Sequence, residues 1–463
     1  MKPSVPTALF LLALLATVHA GDRVYTADQT SNTVSVIDPA KNQYLGSIHL
    51  GDDVPLAISP LYRGELLVHG MGFSPDHKTL DVVSIGSNSV TLIDTQTNKV
   101  KGKIYLGRSP HEAFFTPDGK ELWVAVRGEN YVSVIDPGQL KETRRIETAN
   151  GPGMVMFRPD GKYAFVPSSF TPEMAVIDTH TYRVVARVPQ ASPFSPNLAV
   201  DQQEVWYTLK DSGKTQIVSA QPPFNVLATI DSGPISNHVT FVDNTAGHFA
   251  YISVGGENKV LVYRRDMGAH PQFITAISTG DLPHGIWGSG DGSRVYVGLE
   301  NGDAVQAIDT STNKIIATIP VGQLPQALVY VPDATTSDEG TANLKPLGSP
   351  ATDALHIEMV PPAPGKSQAH ASIAVNSLGL IDALQLAATG LEPGKPYRLV
   401  LTGNGDPLGL VAFKAGIGGA AIAQTLGPLK RVVAPFGHDH APTMRLEIRA
   451  GEKGDGEIVL QQK

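Results

Sequence analysis

The chain has 463 residues, 41% of them hydrophobic and 17% charged, the composition of a globular protein rather than a disordered one. Its formal net charge of −8 supplies no basic footprint for a nucleic acid. The absence of cysteine excludes disulfides, thiolate-held metals, a blue-copper centre, c-type haem attachment and a cysteine nucleophile, so a large core must hold the fold.

Residues 1–20 read as a signal peptide. Lys2 gives a minimal positive start, Ala8–Val18 an apolar stretch, and Val18-His19-Ala20 a small-x-small cleavage site before Gly21. That stretch is too short to span a bilayer, and no later one approaches the roughly 20 apolar residues a spanning helix needs. The expectation is an exported protein, periplasmic or secreted, with no transmembrane segment.

From here a motif returns with drift: VSVID at Val34–Asp38, VTLID at Val90–Asp94, VSVID at Val132–Asp136, MAVID at Met174–Asp178 and VQAID at Val305–Asp309. Weaker copies at Gln216–Ala220 and Val260–Arg264 fill the gap, giving spacings of 56, 42, 42, 42, 44 and 45. A repeat of this length built from short strands predicts a β-propeller with one four-stranded blade per copy, hence seven blades. Within a unit, a Pro-Asp-Gly turn such as Pro117-Asp118-Gly119 closes a hairpin, because Asp and Gly accept the angles of a tight turn. The residue before each motif strand (Asn32, Asn88, Asn130, Asn258, with Asp303 once) reads as a turn residue. The Asp that ends the motif reads as a turn cap rather than a catalytic acid. The long first spacing implies an insertion near Gly51–Glu65, a loop holding Pro60, Tyr62 and Arg63. Leu324–Val331 reads as the innermost strand of the first blade, so that both ends of the chain close the ring.

The turn aspartates serve as a ruler. His69, His111 and His284 each lie seven residues before one, and His238 aligns with them if its turn holds one extra residue. The same slot holds Gln326 in blade 1, Gly153 in blade 4 and Asn197 in blade 5. The start of an innermost strand borders the channel, so blades 6, 7, 1, 2 and 3 are expected to set His238, His284, Gln326, His69 and His111 in an arc. Chance placement of four histidines in one seven-member slot is improbable. One reading is structural: polar residues bonding neighbouring blade backbones in a wet channel. The other is a site for a ligand, an anion or a metal such as copper or another divalent transition metal, for which imidazole is a suitable donor. Glu112 and Arg63, close by in sequence, are candidate supporting groups. His438-Asp439-His440 puts two imidazoles on one face of a strand and reads as a solvated turn.

After Pro332 the composition changes. Residues 334–353 read as a linker, and 354–463, with short strands such as Leu355–Val360, Tyr397–Leu401, Leu408–Lys414 and Met444–Ala450, as a small antiparallel β-sandwich. The domain plan is therefore a signal peptide at 1–20, a propeller at 21–333, the linker, and the sandwich.

The units resemble the YVTN-type seven-bladed propeller repeat in Ser74-Pro75-Asp76, Thr116-Pro117-Asp118-Gly119, Arg158-Pro159-Asp160-Gly161 and Val295-Tyr296-Val297, over about residues 22–333. The resemblance implies a secreted or periplasmic binding protein, more distantly similar to the propellers of amine dehydrogenases, cytochrome-type nitrite reductases and nitrous oxide reductase. The chain lacks the cysteines for the copper domain of the last. The expected function is a binding protein with its ligand or metal at the histidine-lined channel. A copper-type oxidoreductase using His69, His111, His238 and His284 is the alternative, and a scaffold binding an envelope protein partner is a further one.

Overall fold

The computed structural model describes residues 21–51, 64–265, 270–348, 354–363, 365, 367–378, 381–403, 405–429 and 444–463. The signal peptide, Arg63 with its loop, and His438-Asp439-His440 lie outside the described residues. Seven four-stranded antiparallel sheets form the propeller. Blade 1 is completed by the chain's return: Pro325–Val331 pairs with Arg23–Asp28, with Tyr25 opposite Val329. Asp22 clasps this closure, accepting the Asp333 amide at 2.8 Å and the Tyr330 hydroxyl.

The repeat grammar maps directly onto the blades. The motif is the third strand of each, and its Asp is a cap: Asp38 accepts the Ala40 amide at 2.9 Å and Asp94 that of Thr97 at 2.8 Å. Between the motif's apolar residues and the outer strand every blade carries a register shift, as at Val36/Ile37, Val134/Ile135 and Ala307/Ile308. An extra residue at the same place in each blade adds the twist that lets neighbouring blades pack face to face. Between them sit buried side chains such as Trp123, Phe165 and Tyr207, while the outermost strands alternate exposed and half-buried residues.

Residues 354–463 form one eight-stranded antiparallel sheet in the order Gly405–Lys414, Pro396–Gly403, Arg445–Ala450, Ile458–Gln462, Leu355–Val360, His370–Ser377, Asp382–Thr389, Ala421–Gly427. Its end strands approach each other, with Thr425 Oγ1 donating to the Leu410 carbonyl at 3.3 Å, so the sheet nearly closes around Leu386, Leu399, Leu446 and Ile448. The result is barrel- or sandwich-like. The expected linker is partly ordered: Asp338–Asn343 is a short 3-10 helix, and Lys345 exchanges backbone hydrogen bonds with Ser47 at 2.7 and 2.9 Å, covering the outer edge of blade 1. Among the described residues no helix is long and apolar enough to cross a membrane.

Candidate functional site at the roofed end of the channel

Each innermost strand is entered through a residue in the left-handed conformation: Leu67, Ser109, Ile235, Leu282 and Leu324 have φ of 56, 48, 54, 54 and 54°. For side chains of this kind the conformation is unfavourable and must be held by its surroundings. The holder is the residue that begins the previous blade's motif strand. Asn32, Asn88, Asn258 and Asp303 accept the amides of Leu67, Ser109, Leu282 and Leu324 at 2.8–2.9 Å. They are turn residues as expected, with φ of 55, 55, 49 and 49°, but their side chains also reach across to the next blade. Immediately after, the ladder slips between Val68 and Met71, Pro110 and Glu112, Ser236 and Val239, and Pro283 and Ile286. A bulge at each histidine re-aims its side chain toward the axis.

The four imidazoles form an arc of two pairs. Ring centroids are 4.5 Å apart for His69–His111, 4.6 Å for His238–His284, and 6.4 Å for His69–His284 between the pairs. All are buried, at 4–8% exposure. Hydrogen bonding assigns the protons of three of them. His111 Nδ1 lies 2.6 Å from the Gly153 carbonyl and His284 Nδ1 2.8 Å from the Gln326 carbonyl, so both Nδ1 atoms carry the proton. The neutral rings then present bare Nε2 atoms. His69 Nε2, 2.9 Å from His111 Nε2, must donate, which leaves His69 Nδ1 bare. No group hydrogen-bonds to His69 Nδ1 or to His238 Nε2. Neutrality is favoured by burial, which pulls His69 down to about 3 with help from the Arg127 charge. Burial likewise holds His111, His238 and His284 well below the ordinary imidazole range, reinforced by Arg127 at His111, His284 at His238, and Lys210 at His284.

Gln326 lies in the arc as aligned and lines the space above it. Asn197 is engaged structurally: its Oδ1 accepts the Val239 amide at 2.9 Å and its Nδ2 faces Met154 Sδ at 3.2 Å. Glu112 sits on the other side of the arc beside Asp81, and burial pushes both carboxyls well above the carboxylate range. Nitrogen atoms of His69 and His111 and an oxygen of Glu112 lie within 4.8 Å of one another, whereas His238 and His284 stand outside that trio. Gly70, between these groups, has no room for a side chain. A Cβ there would overlap the His111 carbonyl and approach Glu112 Oε2 to 2.7 Å. Gly70→Ala is therefore expected to cost about 1–3 kcal/mol by forcing blades 2 and 3 apart. Denaturant titration checks this, and an unchanged midpoint would refute it.

Above the arc is a cavity of about 540 Å³, roofed by the C-terminal sheet. Its walls come from a second ring that the repeat also marks. Nine residues before the motif's last position stand Gln29, Ile85, Arg127 and Glu300, with Lys210 displaced by one, and all five line the cavity. They follow the second strand of their blades, the end that neighbours the histidines. From the roof, Gln385 Nε2 donates to Glu300 Oε1 at 2.6 Å, and Thr389 Oγ1 donates to the Gly256 carbonyl at 3.0 Å. Glu300 Oε2 has no hydrogen-bond partner and lies 3.9 Å from His284 Nε2. Below the arc the channel narrows to a space of about 190 Å³. There Trp287 stacks on Phe114 at 6.3 Å and packs edge-on to Phe73 at 6.0 Å, bridging the cores of opposite blades.

Residues 92–318 match the family model described as Lactonase, 7-bladed beta-propeller. The propeller is seven-bladed by sequence and by structure. Comparison with curated proteins finds no match. Among solved structures the chain is similar to hydrazine synthase of Kuenenia stuttgartiensis, at 19% identity and a TM-score of 0.51 over 60% of this chain and 94% of that one. It is also similar to a periplasmic gluconolactonase of Pseudomonas aeruginosa, at 18% and 0.54 over 67% and 99%. A protein of unknown function from Desulfotomaculum acetoxidans gives 13% and 0.56 over 66% and 98%. At such identities the likeness carries the propeller fold, and the C-terminal sheet lies beyond most of it.

Proposed function

We propose that this is an exported binding protein whose small ligand occupies the roofed cavity, seated on the histidine arc. The observation that carries this reading is that two residues lining the cavity keep buried atoms without partners, His69 Nδ1 and Glu300 Oε2. Buried polar atoms are normally satisfied, and each one left bare costs about 1–3 kcal/mol. A ligand that supplies hydrogen-bond donors removes that cost. The volume of about 540 Å³ falls within the range of small-molecule sites.

The test is native mass spectrometry, with small-molecule and elemental analysis, of the protein taken from its own compartment. The reading expects a non-covalent organic ligand, lost in a His69→Ala, Gln385→Ala double variant that still melts cooperatively. A ligand-free protein, or one that keeps its ligand after both changes, would count against it. The compactness of the His69–His111–Glu112 trio favours a second reading, a transition-metal site, with a redox role if the metal is copper. His111, oriented through its Nδ1 by a carbonyl, has the support usual for a ligating imidazole. Stoichiometric metal that disappears in His69→Ala, His111→Ala would select it.

A further inference from the structure

Resting on the reading that the roofed cavity holds the ligand, we infer that the ligand is a small organic anion, its carboxylate anchored by Arg127 and Lys210 and its donor groups turned to the histidine arc. Among the described residues neither cation has a hydrogen-bonding or ion-pairing partner. Arg127 is set between two rings, its Cζ 4.7 Å from the Phe194 centroid and 5.8 Å from that of Phe170. These contacts anchor a guanidinium whose buried Nε has no partner, an arrangement suited to bidentate capture of a carboxylate. Lys210, two blades on, occupies nearly the same repeat position and lines the same cavity.

The two charges crowd each other. Burial lowers Arg127 to about 10. Lys210 falls to about 8, through burial and then through Arg127, although Glu300 and Asp211 act against it. Glu300, its Oε1 held by Gln385, offsets part of this charge without reaching an ion-pair contact with either cation. An anion between Arg127 and Lys210 relieves both.

The floor has the opposite character. His69 Nδ1 and Glu300 Oε2 are acceptors without donors, the latter 3.9 Å from His284 Nε2. A ligand that satisfies both regions carries negative charge at one end and hydroxyl or ammonium donors at the other. That is the chemistry of a hydroxycarboxylate or an aminocarboxylate. Inorganic phosphate, which offers little beyond charge, matches the cations alone.

Isothermal titration of the full-length protein at pH 7.5 with malate, glutamate, malamide and inorganic phosphate tests this. Malate or glutamate is expected to bind at least tenfold more tightly than malamide, which keeps malate's size and hydroxyl but loses its charge. Arg127→Gln and Lys210→Gln are each expected to weaken that binding about tenfold. Lys141→Gln, on the exposed outer strand of blade 3, should leave it unchanged. The inference is overturned if neither acid binds, if phosphate binds as tightly as the acids, or if both variants bind like wild type. Malamide binding as tightly as malate, and lost in His69→Ala, would overturn the anion while leaving the cavity as the ligand site. A site lost altogether would show instead as no ligand on the native protein and no binding of any probe.

Discussion

Asp28→Asn is expected to make the protein more stable than wild type at pH 8 and more sensitive to acid below pH 6.5. Asp28 is fully buried in the closing blade, where it accepts the hydroxyls of Thr26, Thr33 and Ser35 at 2.5, 2.9 and 2.7 Å. Burial nonetheless outweighs those bonds and lifts its pKa from 3.8 to about 7. The folded chain then binds this proton more tightly than the unfolded one, so stability falls as pH rises from about 4 to about 7. The difference is worth roughly 4 kcal/mol above pH 7. The channel histidines act in the other direction. A depressed imidazole contributes stability above pH 6.5 that is lost as pH falls toward its folded value. For His69, at about 3, the loss between pH 6.5 and 5 is about 2 kcal/mol. His111, His238 and His284 follow His69, while the buried carboxyls of Asp81 and Glu112 side with Asp28. The two sets of groups therefore oppose each other in the wild-type profile between pH 8 and 5. Asp28→Asn removes one counterweight and tilts the profile toward loss in acid, and His69→Gln removes one on the other side and tilts it the opposite way. Melting curves at pH 8, 6.5 and 5 decide. An Asp28→Asn protein that parallels wild type throughout would show that the carboxyl is not the counterweight.

The second large effect concerns the seam between blades 5 and 6. The Arg265 side chain, 1% exposed, bonds Asp201 at 2.5 Å and Asp243 at 3.1 Å while lying 3.7 Å over the Phe241 ring. Removing one member of a buried pair typically costs 3–5 kcal/mol. Here Asp201 and Asp243 retain 27% and 61% of their surface, so water recovers part of what they lose. Arg265→Ala is accordingly expected to cost about 3 kcal/mol by chemical denaturation, with cooperativity intact. A change below 1 kcal/mol would mean that the pair is no stronger than a surface one.

Much of this molecule is legible in its sequence because a propeller repeats its constraints. The motif Asp, the Pro-Asp-Gly hairpin and the bulged outer strand recur wherever the same backbone must be built, so a ruler laid on one blade reads the others. The histidine arc emerges from that ruler, and so does its order around the axis. The same ruler, moved to nine residues before the motif's end, marks Arg127 and Glu300. They are harder to see because the slot mixes Gln29, Ile85, a cation and an acid, with no residue type to draw attention. The function of Asn32, Asn88 and Asn258 is hidden for a different reason. A turn residue and an interblade tie use the same side chain, and local sequence reports only the turn. Beyond Pro332 nothing repeats. Asp382–Thr389, the strand that meets Glu300, reads DALQLAAT, and its alanines give little strand signal. Gln385 could be placed over the channel only by the tertiary fold.

A molecule in the cavity above the arc lies against the C-terminal sheet, which is tied to the propeller by contacts such as Gln385 with Glu300 and Thr389 with Gly256. A roof anchored in this way can slow arrival and departure alike, bearing on how quickly the site exchanges without altering which ligand it selects.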